Sequence, residues 1–198
     1  MKPSLALLLL CAVSAAAPAQ SYSDRRAGDS SVSVYAMAGQ GFHQELSRGQ
    51  GFSEFGTVAV QGSRSLSRRL ELQLDFHPLM LIRQPAAPPH GQRETVAAFA
   101  LDIGLRWFPA PADWRIAPYV EVLDGPFYAV RRVPTTGTRF NFLTQAGLGA
   151  LLPLGRHWHP EVFGRWVHVS NAGAGRHNPD WDYWAIGVGG RLALPARR

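Results

Sequence analysis

The sequence predicts an all-β chain folded as an eight-stranded antiparallel transmembrane β-barrel of the bacterial outer membrane. Three observations predict it. The first residues read as a secretory leader, the rest divides into eight segments of alternating polarity, and the connections between them are alternately long and short. No window after the leader approaches the roughly 18 consecutive apolar residues of a membrane-spanning helix.

The leader comes first. Met1-Lys2-Pro3-Ser4 precedes an apolar run from Leu5 to Val13, and Ala17-Pro18-Ala19 is a small-x-small cleavage site. Residues 1–19 are therefore expected to be a signal peptide and 20–198 a single barrel domain. The residues before Cys11 are Leu8-Leu9-Leu10, which lack the small side chains of a lipoprotein site, so no lipid anchor is expected. Cys11 is the sole cysteine, so its removal leaves no disulfide or thiol chemistry. Losing Lys2 lowers the formal charge from +6 to +5 and leaves arginine as the only other basic residue type. Arginine binds phosphate bidentately, which suits an anionic glycolipid surface; a codon bias toward arginine accounts for the same composition.

The expected strands are 31–42, 52–62, 69–82, 95–108, 115–129, 139–152, 156–170 and 182–194. Each has room for the 9–11 residues a membrane strand needs. The connections expected to be longer are 43–51, 83–94, 130–138 and 171–181; the shorter ones lie at 63–68, 109–114 and 153–155. Parity then assigns faces. In the third segment Leu70, Leu72, Leu74 and Phe76 alternate with Glu71, Gln73 and Asp75. In the fourth, Phe99, Leu101, Ile103, Leu105 and Trp107 oppose Asp102, Gly104 and Arg106; in the sixth, Phe140, Phe142 and Leu148 oppose Arg139, Asn141 and Gln145. The non-apolar face mixes glycine, amides and opposite charges, which fits the packed, ion-paired interior of a small membrane barrel. A soluble lipocalin-like barrel is the structural alternative.

The last two strands carry the chemistry. With Glu161 and Arg165 inside, Val162, Gly164, Trp166, His168 and Ser170 face outward. In the eighth strand Asp182 shares its face with Trp184, Ile186, Val188, Leu192 and Leu194. Polar groups on the wall are costly and suggest function. A histidine beside a serine is the minimum kit of a serine esterase, with His168 as base and Ser170 as nucleophile. Asp182 would orient the imidazole, and Asn171, with a backbone N–H of the 171–173 turn, would stabilise the oxyanion. By itself His-x-Ser is a weak pattern, commonly a locally bonded histidine and a turn-capping serine.

The remaining histidines suggest no chemistry. His157 and His159 alternate like a metal pair but lack a third ligand, so no metal or cofactor is expected. His177 reads as a solvated loop residue, and His43, His77 and His90 carry no signal. The tryptophans read as interfacial belts or packing. Nothing resembles a phosphate-cradling glycine loop or a nucleic-acid motif.

The run His168-Val169-Ser170-Asn171-Ala172-Gly173, then Asn178-Pro179, then an acid fourteen residues after the histidine, resembles the signature of PagL-type lipid A 3-O-deacylases, also called acyloxyacyl hydrolases. Its specific part is 166–184. The resemblance implies hydrolysis of the ester-linked 3-hydroxyacyl chain at position 3 of lipid A, with lipopolysaccharide as substrate and outer-membrane lipid as surroundings. It implies roles for His168 and Ser170 as base and nucleophile, Asn171 at the oxyanion, and Asn178 in support. Asp182 stands where the family usually has glutamate, and Asp180 stands where a glycine usually follows Asn-Pro, leaving Asp180 as a rival orienting acid. The chain also ends Leu194-Pro195-Ala196-Arg197-Arg198, without the terminal aromatic common in such barrels. The alternatives are an outer-membrane phospholipase A-like esterase, which needs twelve strands, and a non-catalytic structural or adhesion barrel.

Overall fold

A computed structural model describes residues 25–44, 53–86, 92–110, 114, 116–152, 158–175 and 178–194. The expected leader (residues 1–19), together with His90, His157 and His177, lies outside the described residues. Eight strands follow one another: β1 (Ser30–Gln44), β2 (Glu54–Ser65), β3 (Leu70–Pro85), β4 (Arg93–Trp107), β5 (Ala117–Val133), β6 (Thr138–Leu151), β7 (Trp158–Ser170) and β8 (Trp181–Ala193). They form one closed barrel in sequence order, with β8 returning to pair antiparallel with β1. Closure leaves no strand edge unpaired, the condition for a sheet to span lipid.

The two faces follow the alternation in the sequence. Leu72, Leu74, Phe76, Leu101, Ile103, Leu105, Val120, Val122, Ile186 and Val188 lie exposed on the outer wall. Glu71, Gln73, Asp75, Asp102, Arg106, Glu121, Gln145 and Arg165 are buried inside. A soluble barrel has the opposite arrangement, so the wall is built for hydrocarbon.

Paired charges fill the interior. Glu121 bridges two arginines: its Oε2 accepts from Arg106 Nη2 at 2.8 Å and its Oε1 from Arg165 Nε at 2.8 Å. Arg106 also reaches Glu161 at 2.7 Å and lies over the Tyr119 ring. Arg165 Nη1 donates to Gln145, Asp75 and the Tyr35 hydroxyl. Nearer the termini, Arg191 clamps Glu71 with two bonds, at 2.6 and 2.9 Å. Such groups are tolerated only when paired with an opposite charge, because an unpaired buried charge is heavily penalised. We therefore expect Glu121→Ala to destabilise the barrel by about 3–5 kcal/mol, the usual consequence of stranding a buried partner. The measurement is urea unfolding followed by heat-modifiable gel mobility. Arg68→Ala, in an exposed turn, should leave the midpoint in place.

Three expectations need correction. The long-short alternation does not hold, because β5 runs on to Val133 and pairs with Thr138, leaving only residues 134–137 between β5 and β6. The Gly137 N–H donates to the Pro134 carbonyl at 2.7 Å and closes that turn. At the other end, β4 stops at Trp107 and β5 starts at Ala117, so 108–116 is not short. Arg139, grouped by parity with the interior, is exposed because β6 begins at Thr138 and Arg139 sits at the barrel mouth. Finally, His77 is not idle: it is fully buried, with Nε2 3.4 Å from Asp102 and Nδ1 3.3 Å from the Thr57 hydroxyl.

Candidate active site

Strand register places the polar wall residues. In the antiparallel β7–β8 pair His168 stands directly opposite Asp182, and directly paired residues point to the same face. His168 Nδ1 lies 2.9 Å from Asp182 Oδ1, within hydrogen-bond range. Both side chains are only partly covered, 23% and 16% exposed, so the pair lies in the outer wall and not in the lumen. The Trp166 ring stacks on the imidazole with centroids 5.5 Å apart and a 24° interplanar angle, which fixes the ring plane. Next along β8, Trp184 stacks on Phe42 at 5.2 Å and continues the aromatic surface.

Ser170 ends β7 two residues beyond His168 and is likewise half-buried on the outer face. Neither its hydroxyl nor His168 Nε2 has a hydrogen-bond partner among the described residues. Such contacts are commonly loose before substrate binds and tighten in the reacting complex.

The loop after Ser170 is held from three sides. Asn171 is buried, and its Oδ1 accepts from the Gly173 N–H at 3.0 Å, an Asx turn. Ala172 (φ 51°) and Gly173 (φ 80°) are both left-handed, a conformation glycine adopts without strain. The Asn171 N–H donates to Asn178 Oδ1 at 2.8 Å, tying the start of the loop to its end. Pro179 is buried beside Gly137, where an added Cβ would come within 3.2 Å of the proline ring. The Ala174 N–H donates to the Asn171 carbonyl at 2.9 Å. Of the N–H groups from 171 to 174, those of Asn171, Gly173 and Ala174 are thus engaged, and the Ala172 N–H has no acceptor among the described residues.

The structure therefore brings His168 and Asp182 into contact, sets Ser170 on the same face, and gives Asn178 a loop-closing role. Asp180 is half-buried in the loop and makes no bond to His168 among the described residues. Among those residues, no group of three or more His, Cys, Asp or Glu side chains could hold a metal ion.

Two further polar residues share the wall. Thr144 of β6 stands opposite His168, and Asp124 of β5 stands opposite Thr144. The Thr144 hydroxyl donates to Asp124 Oδ1 at 2.5 Å. Sequence reading missed this pair, although its signal was present. Asp124 interrupts the outward series Val120, Val122, Pro126, Tyr128 and Val130.

Comparison with solved structures finds outer-membrane barrels. The chain is similar to the outer membrane protein OprG from Pseudomonas aeruginosa (10% identity, TM-score 0.59, covering 88% of this chain and 99% of that one). It is equally similar to Neisserial surface protein A (10%, 0.59, 83% and 97%), and also to outer membrane protein W of E. coli (8%, 0.54, 86% and 100%). At such identities the likeness establishes the fold alone. No curated protein sequence matches the chain. The family model described as lipid A 3-O-deacylase (PagL) matches residues 86–191, from the β3–β4 connection into β8. With more than half of its length matched, this outer-membrane β-barrel belongs to the PagL family of lipid A 3-O-deacylases.

Proposed function

We propose that the protein is a serine esterase of the outer membrane that removes the 3-hydroxyacyl chain ester-linked at position 3 of lipid A, with its site near the extracellular rim. One observation carries the reading: an imidazole, bonded through Nδ1 to a carboxylate, shares a lipid-facing wall with a serine hydroxyl two residues away. The Nδ1 bond to Asp182 selects the tautomer in which Nε2 is free to accept a proton. His168 takes the Ser170 proton as the hydroxyl attacks the ester carbonyl, then returns it to the leaving sugar oxygen. Water next attacks the acyl-enzyme by the same relay and releases the fatty acid. In this reading the Ala172 N–H and the Asn171 carboxamide supply the donors for the developing oxyanion.

The site's position supports a membrane-borne substrate, because a wall-facing nucleophile meets lipid laterally. Exposed Arg83, Arg132 and Arg139 at the loop end of the barrel suit the phosphates of lipopolysaccharide. Eight strands also fall short of the twelve that a phospholipase A-like barrel requires. Expression in a host of known lipid A, followed by mass spectrometry, should show loss of a single 3-hydroxyacyl chain. Unaltered lipid A beside folded, membrane-inserted barrel would favour a non-catalytic role.

A further inference from the structure

The 171–180 loop leans on a turn that the proposed chemistry does not use. The β6–β7 ladder ends at the Phe142–Ser170 pair, and β6 extends past it through 138–141 to the 134–137 turn. There Gly137 meets Pro179, the residue after Asn178. A Cβ added to Gly137 would lie 3.2 Å from Pro179 Cγ, 3.1 Å from Pro134 Cδ and 3.2 Å from the Pro134 carbonyl oxygen. Unlike Gly173, Gly137 does not have a left-handed backbone, so space and not φ calls for glycine here.

The turn is the fixed side of this contact. The Thr135 hydroxyl donates to the Pro85 carbonyl at 2.5 Å, reaching across to the end of β3. Gln84 Nε2 donates to the Arg132 carbonyl and Asn141 Nδ2 to the Val133 carbonyl, both at 2.8 Å. Together with the Gly137–Pro134 bond, these contacts hold the hairpin end from β3, from β6 and from within. An atom added at Gly137 therefore presses on Pro179.

Pro179 passes that displacement to the loop. The proline ring crowds the residue before it and keeps that backbone extended, so Asn178 moves with Pro179. Asn178 Oδ1 in turn holds the Asn171 N–H at 2.8 Å. The next N–H along the chain belongs to Ala172, the donor assigned above to the oxyanion.

We infer that Gly137 is a positioning residue: its missing side chain seats Pro179, and through Asn178 the seat holds the oxyanion loop against Ser170. The inference rests on the esterase reading above. A displacement of about 1 Å far from the chemistry can lower turnover by ~10²-fold. The ester itself lies along the outer wall, away from Gly137, so substrate binding is spared.

The test measures hydrolysis of a glucosamine phosphate carrying a 3-O-(3-hydroxyacyl) chain, in detergent micelles, by the full-length refolded barrel. Gly137→Ala should lower kcat by ~10-fold or more and leave KM within ~2-fold, the pattern of an interaction made in the transition state. In a Pro179→Ala background, which removes the ring carbon that the new methyl meets, the same substitution should cost less than ~2-fold, a non-additive cycle. Gly56→Ala, where an added Cβ meets nothing within 4 Å, should match the parent. A folded Gly137→Ala barrel with parental kcat, a loss confined to KM, or an equal loss in both backgrounds overturns the positioning role and leaves the esterase standing. If Gly137→Ala does not fold, Thr135→Val decides, since it loosens the turn without adding bulk: a lowered kcat supports the role, and a parental kcat overturns it. No hydrolysis by folded parent protein overturns the esterase reading and the positioning role together.

Discussion

Ser170→Ala and His168→Ala should each lower the deacylation rate by at least ~10³-fold while leaving a folded barrel in the membrane. The magnitude follows from how a nucleophile and its base act as one unit: losing either removes the covalent route, and only binding and oxyanion stabilisation remain. Folding should survive because of where the side chains point. Both lie half-buried on the outer wall, and neither joins the interior set around Glu121, Arg106 and Arg165. His168 contributes one partly exposed bond to Asp182 and a stacked contact with Trp166. Surface pairs of that kind contribute on the order of 1 kcal/mol or less. Deacylation is measured by mass spectrometry of extracted lipid A, and folding by heat-modifiable mobility of the same membranes. Near-parental activity in either folded variant would remove that residue from the reaction.

The wall assignments were legible in the sequence because period-two alternation leaves little freedom. Once Glu161 and Arg165 are placed inside, parity forces His168 and Ser170 outward. The same logic puts Asp182 with Trp184 and Ile186, and the register makes it the partner of His168. Pairing across strands was less legible. Asp124 and Thr144 sit far from the signature in sequence, and only the β5–β6–β7 register brings them beside His168. Strand ends were hidden for a different reason. Arg131 and Arg132 break the apolar pattern of β5, yet after a register shift past Tyr128 the strand pairs again at Val133, where the 134–137 turn closes through its own hydrogen bond. The interior role of His77 depends on Thr57 and Asp102 from two other strands, which no local pattern announces. The family signature pointed to Asn178 without a mechanism; its bond to the Asn171 N–H shows how it shapes the loop.

Asp182→Ala should cost far more activity than Asp180→Ala, and this comparison decides which acid orients the base. Parity alone cannot choose, since 180 and 182 differ by two. The register favours Asp182, which stands opposite His168 with Oδ1 2.9 Å from Nδ1. Asp180 precedes Trp181 in the loop, and no bond joins it to the imidazole among the described residues. An orienting carboxylate holds the tautomer with Nε2 unprotonated and offsets the imidazolium formed as serine attacks. Its removal costs up to ~10⁴-fold in turnover in the serine-protease template. We expect a loss of ~10²–10⁴-fold for Asp182→Ala and less than ~10-fold for Asp180→Ala. Asp182→Asn, which keeps size but not charge, should fall with the alanine variant. Asp182→Glu should retain function, because it restores the acid usual in the family with one methylene of extra reach. Rates are compared at matched amounts of folded barrel. A larger loss from Asp180→Ala than from Asp182→Ala would move the acid into the 171–180 loop and make the His168–Asp182 bond a purely structural contact.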